Sequence, residues 1–151
     1  MAWTKTSVGK YIVLEESGLV LADNEDSGAE EYTVVSSVIP AVDYNFENAK
    51  FPLVCEITTA SDDAVTCDAV LQVSTGSAVT GDVIGTSSAT PLWADAADVD
   101  IDIVSDTLGS YSQIVDATDV YAPYARIAIK TSAADLNGGS GRVTIKLALP
   151  A

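Results

Sequence analysis

Apolar and polar residues alternate along much of the chain, most clearly near its end. In PYARIAIK, Ala125, Ile127 and Ile129 fall on one side, and Arg126, Ala128 and Lys130 on the other. In RVTIKLAL, Val143, Ile145, Leu147 and Leu149 oppose Arg142, Thr144, Lys146 and Ala148. Side chains of a strand alternate with a period of two, so each run predicts a strand with one apolar face. Between them, TSAADLNGGSG is rich in Gly, Asn and Ser, and the whole stretch from Pro123 to Leu149 reads as a β-hairpin. A loop centred near Leu136 would pair Lys130 with Arg142 and Arg126 with Lys146. Four of the seven basic residues would then share one patch.

The same pattern, less regular, predicts strands at Val8 to Leu14, Gly18 to Ala22, Glu31 to Ile39, Pro52 to Thr59 and Val65 to Val73. Further strands are predicted at Thr90 to Trp93, Asp98 to Ser105 and within Leu108 to Thr118. A turn at Glu15–Gly18, an acidic loop over Ala22 to Glu31, a linker over Pro40 to Phe51 and a small, polar excursion over Ser74 to Ala89 separate them. No stretch of about 11 residues has amphipathic-helix spacing. Many short strands with frequent turn signals predict an all-β fold, an antiparallel β-sandwich or jelly roll, in a single domain. Met1 to Leu14 is expected to be an extended N-terminal arm, with Trp3, Tyr11 and Ile12 as interface anchors.

Composition narrows the function. The 151 residues are 48% hydrophobic but only 7% aromatic, which predicts a core of Val, Ile, Leu and Ala. The formal net charge is −15, from 22 acids and 7 bases. That argues against nucleic acid as a direct partner, since affinity for phosphates rests on clustered Lys and Arg. No apolar run approaches the length of a membrane span. MAWTKTSVGK lacks the apolar core of a signal peptide, so release into the cytoplasm of the producing cell is expected.

Candidate chemistry is sparse. The chain has no His, hence not the usual general base near neutral pH. It has no GxSxG, no phosphate-cradling Gly loop and no zinc-spaced Cys/His set. Carboxylate-only glycosidase chemistry would need one acid set apart, and none is marked. Catalysis and a cofactor are therefore not expected. Cys55 and Cys67 flank a turn near Ser61, so hairpin pairing would set them opposite each other as buried thiols or as a bridge. Asp98, Asp100 and Asp102 line one side of a strand, either a solvated row or a partner for the basic patch. Asp23, Glu25, Ser27 and Gly28 begin like a calcium loop, but Val34 stands where a bidentate Glu is required.

Cys67 to Ala151 resembles small virion structural proteins of tailed bacteriophages. The likeness is carried by AVLQVSTGS, Trp93, APYARIAIKTS, the Gly-rich turn and RVTIKLAL. The Ser74–Ala89 excursion before Trp93 departs from that pattern. The resemblance implies a non-enzymatic, repeated component of a particle, of the capsid decoration (cement) or head-fibre type. The expectation is a capsid-surface protein of the virion, assembled in the host cytoplasm as a dimer or trimer on the major capsid protein. Arg126, Lys130, Arg142 and Lys146 would form its docking face. The rival is a fibre, tail or other adhesion module that contacts a host surface. A secreted binding domain is disfavoured by the missing signal.

Overall fold

The computed structural model of the chain describes residues 2–21, 32–61, 66–74, 93–131 and 141–151. The loop with Asp23, Glu25, Ser27 and Gly28 and nearly all of the Ser74–Ala89 excursion lie outside the described residues. Among the described residues there are ten strands and no helix. They are β1 (Thr4–Val8), β2 (Tyr11–Leu21), β3 (Tyr32–Val35), β4 (Ile39–Pro40) and β5 (Lys50–Thr59). The second half supplies β6 (Thr66–Ser74), β7 (Ala94–Val104), β8 (Gly109–Asp116), β9 (Tyr124–Thr131) and β10 (Gly141–Pro150). Among the described residues no helix is long and apolar enough to cross a membrane.

All pairings are antiparallel and fall into two sheets. Sheet A has the order β1-β2-β10-β5-β8, and sheet B the order β3-β9-β6-β7 with β4 also on β9. The pairings are nested: β2 with β10, β3 with β9, β5 with β8, and β6 with β7. The first half of the chain thus lies against the second half, run backwards, and the double ribbon is rolled so that β5 meets β10 and β6 meets β9. Leu14, Leu53, Ile145 and Leu147 from sheet A join Val34, Leu71, Ile103, Ile127 and Ile129 from sheet B in one buried core. Each such aliphatic side chain stabilises the fold by about 1.5–3 kcal/mol through burial. The result is a β-sandwich-like arrangement with an aliphatic centre.

This topology corrects the terminal hairpin. β9 and β10 are consecutive but belong to different sheets, so Lys130 does not pair with Arg142, nor Arg126 with Lys146. Lys130 lies opposite Asp68 and Tyr32 in the ladder, and Lys146 opposite Glu15 and Val54. Alternation fixes which side of a strand is apolar. It does not choose the strand's partner, and a loop as long as residues 132–140 can cross the roughly 10 Å between facing sheets.

Two further expectations are corrected, the first for the same reason. β5 and β6 are also in different sheets, so Cys55 and Cys67 are not opposed. After Thr59 the chain turns away from sheet A, and the Ser61 amide donates to the Ser105 carbonyl at the end of sheet B, 2.9 Å away. The turn expected at Glu15–Gly18 is absent, because β2 runs unbroken to Leu21. A ladder irregularity opposite Val143 and Ile145 absorbs the misfit, with Gly18 at φ 71°, a conformation that favours glycine.

The N-terminal segment is a hairpin edge. Val8 pairs with Tyr11 across a two-residue loop whose first residue, Gly9, has φ 59°. A two-residue hairpin favours glycine with positive φ at that position. All five residues of β1 are exposed, and the strand forms one edge of sheet A.

Candidate functional site

Among the described residues Arg126 is the largest side chain that the fold buries almost completely. It sits on the side of sheet B that faces away from the main core, because its neighbours Ile127 and Ala125 face inward. The ladder places Gln72 between Arg126 on β9 and Asp95 on β7. Arg126 Nε donates to Gln72 Oε1 at 2.8 Å, and Gln72 Nε2 donates to Asp95 Oδ1 at 2.9 Å. The Arg126 guanidinium carbon lies 4.3 Å from the centroid of the Trp93 ring. A planar, delocalised cation stacks on indole and binds amide oxygens in a way that lysine cannot. The arrangement therefore ties three strands together under an aromatic cover. Beside it on the same side of sheet B, Val70, Ala128 and Val35 form a small second apolar cluster.

Arg126, expected on a solvent-facing basic patch, is instead buried. Arg142 and Lys146 lie on sheet A instead, on its outward side. Lys146 Nζ is 3.6 Å from Glu15 Oε2 in a half-exposed pair, and Arg142 Nη1 donates to the Gly141 carbonyl at 2.8 Å. Lys130 is on sheet B, and its side chain lies outside the described residues. The four basic residues therefore form no common patch. Of the acidic row, the side chains of Asp98 and Asp100 lie outside the described residues, and Asp102 is exposed.

A second polar tie joins the sheets. Glu16 is buried on β2, and its carboxylate accepts from the Ser37 amide at 2.7 Å and the Ser37 hydroxyl at 2.8 Å. The adjacent Ser36 hydroxyl accepts from the Ile127 amide at 2.8 Å. Trp3 Nε1 donates to the Ser37 carbonyl at 2.9 Å while the ring packs on the core. These bonds divide the run expected as one strand over Glu31 to Ile39 into β3 and β4. They also hold Trp3 down as an internal anchor. Ile12 points the same way, packed against the core. Of the three expected anchors only Tyr11 is outward and exposed.

Beside Trp3, Lys5 lies on the same side of the sheet as its ladder partner Leu14 but stays exposed at the edge, with its ammonium 5.6 Å from the centre of the Tyr44 ring. A lysine on an edge strand resists further strand pairing. The cysteines are chemically quiet. Burial pushes the Cys55 thiol up to about 12, and burial with the nearby Asp68 charge pushes Cys67 up to about 11. They are not joined by a disulfide. At the opposite end, hydrogen bonds from the Thr118 hydroxyl and from its amide, the latter 2.9 Å long, together with the Lys50 charge hold the Asp116 carboxyl below the ordinary value. Among the described residues no three carboxylates or thiols converge on a point that could hold a metal ion.

Gln72, Asp95, Glu16 and Ser37 are not among the residues that motif or alternation singles out. The one available signal was Gln72, a lone amide inside the apolar run AVLQV. Comparison of the chain with protein-family models, curated proteins and solved structures finds no match.

Proposed function

We propose that the chain is a non-enzymatic structural protein of a tailed-bacteriophage particle, decorating and cementing the capsid. Its partners in this reading are the major capsid protein and further copies of itself. The observation that carries the reading is the nested strand order. Two layers, β2-β10-β5-β8 and β3-β9-β6-β7, fit an eight-stranded jelly roll, to which β1 adds an edge. Jelly rolls recur in viral capsid domains. A fold alone does not assign a function, so the use made of the polar side chains also counts. Arg126, Gln72, Asp95, Glu16 and Ser37 are engaged in ties between strands. Such ties suit a rigid spacer that must keep its shape under load. A decorating protein works by repetition: each contact can be weak while the summed effect over a shell is large. The role expected of a free arm passes in this reading to the β1–β2 hairpin, whose Tyr11 is exposed.

Quantitative mass spectrometry of purified particles tests the proposal. A copy number comparable to that of the shell subunit is expected. A few copies per particle would move the chain to a fibre or tail, and absence from particles would overturn the assignment.

A further inference from the structure

The outward side of sheet A differs from the rest of the molecule in charge. It carries three acids, Glu15, Glu56 and Asp116, and three bases, Lys50, Arg142 and Lys146. The remainder of the chain holds nineteen acids and four bases, so the whole formal charge of −15 lies elsewhere. The same side collects exposed apolar groups. Val8 is 54% exposed, Tyr11 56%, Val20 45% and Ile114 55%. In the ladder Thr6, Val13 and Ala148 are neighbours, as are Pro52 and Ile114. Continuing the Leu147–Leu53 register by one residue brings Ala148 beside Pro52, so one row of small and apolar side chains crosses all five strands.

We infer that this side of sheet A is the contact surface for a second copy of the chain, packed sheet on sheet about a twofold axis. Two molecules of charge −15 repel in most orientations. Only an encounter through a neutral surface keeps the acidic parts apart while apolar side chains meet. Size agrees: five strands at about 4.8 Å and eight residues at about 3.4 Å give about 650 Å² per copy, or about 1,300 Å² in total, within the range of specific dimers. Pairing through the edge of β1 is the competing geometry, and Lys5 on that edge strand disfavours it. The inference names the self-contact of the assembly proposed above, but its test needs no particle. Absence from a particle would leave a dimer intact, and a monomer would leave the particle assignment to its own experiment.

Sedimentation equilibrium of the full chain tests it. The wild type is expected to be a dimer that tightens as salt rises from about 0.05 to about 0.5 M, because screening removes the repulsion between the acidic parts. Tyr11→Asp with Ile114→Asp puts two charges in place of exposed apolar groups of this side and should raise the dissociation constant at least about 30-fold. Val42→Asp with Tyr121→Asp, exposed in loops away from this side, should change it less than about threefold. If the first pair lowers the thermal midpoint, Val8→Asp on the exposed edge strand supplies the same reading. A wild type that stays monomeric up to about 0.5 mM overturns the inference. So does a trimer, or a dimer broken by the loop pair and left intact by the sheet pair.

Discussion

The Arg126 guanidinium stacks 4.3 Å from the centroid of the Trp93 ring, in a place that solvent scarcely reaches. This pair closes a chain of contacts that runs through Gln72 to Asp95 across three strands. Arg126→Ala is expected to destabilise the protein by about 2–4 kcal/mol, since it strips a buried amide of its charged donor and the indole of its cation. Arg126→Lys should recover little, because an ammonium lacks the planar fork. Urea unfolding of the three proteins decides this. A loss below about 0.5 kcal/mol for Arg126→Ala would mean that the stack contributes nothing to stability.

Glu16 and Ser37 provide the corresponding tie on the other flank. Glu16→Ala should cost about 2–3 kcal/mol, as both of its bonds are to a charged acceptor. Ser37→Ala removes only the hydroxyl and leaves the amide bond, so a loss of about 0.5–1.5 kcal/mol is expected. Equal losses in chemical denaturation would contradict the described geometry.

The thiols give a pH dependence of known sign. Their folded values, about 12 for Cys55 and about 11 for Cys67, lie above the ordinary value of 9.0. The folded state therefore keeps protons that the unfolded chain loses. Stability from this source is complete below about pH 9 and falls as pH rises from there toward pH 11–12, by up to about 1.4 kcal/mol per unit for each thiol. Cys55→Ala with Cys67→Ala should be less stable at pH 7 through lost packing, yet show a flatter alkaline limb. Native protein at pH 8 should resist a thiol reagent, and denatured protein without reductant should titrate two thiols. Rapid labelling of the native protein would count against burial.

Asp116 tests a local cause. Its carboxyl is held down chiefly by hydrogen bonds from Thr118 and only secondarily by Lys50, 3.9 Å away. Thr118→Val should raise the Asp116 pKa more than Lys50→Met does, as read by NMR titration. Because the folded value is depressed, its stabilising effect is present above the ordinary carboxyl range and lost as pH falls through the folded value. The reverse ranking of the two variants would assign the shift to charge instead.

Gly141 opens β10 where a side chain has no room. A Cβ there would stand 3.1 Å from Leu21 Cβ and 3.3 Å from Ser61 Cβ. Gly141→Ala should lower stability by about 1–3 kcal/mol, visible as a lower thermal midpoint, since neither neighbour is a flexible chain end. An unchanged midpoint would show that the end of the sandwich can spread.

The sequence by itself determined the class of fold, most strand positions and the inward residues. Alternation with a period of two marks the apolar row of a strand whatever its partner, which is why Ile127, Ile129, Val143 and Ile145 were identified as core from the pattern alone. The sequence also determined an acidic molecule without histidine. Only the tertiary structure decided which strands pair. Consecutive strands need not be neighbours, and here β5 and β6, like β9 and β10, part into separate sheets. That single fact dissolved the basic patch and the opposed cysteines. It also decided that sheet B is covered on both sides at its centre, so that Arg126, read from its polar position as a surface cation, became a buried tie to Gln72 and Trp93. A residue's side of a strand is local information. Whether that side meets water depends on what the rest of the chain lays over it, which no local pattern encodes.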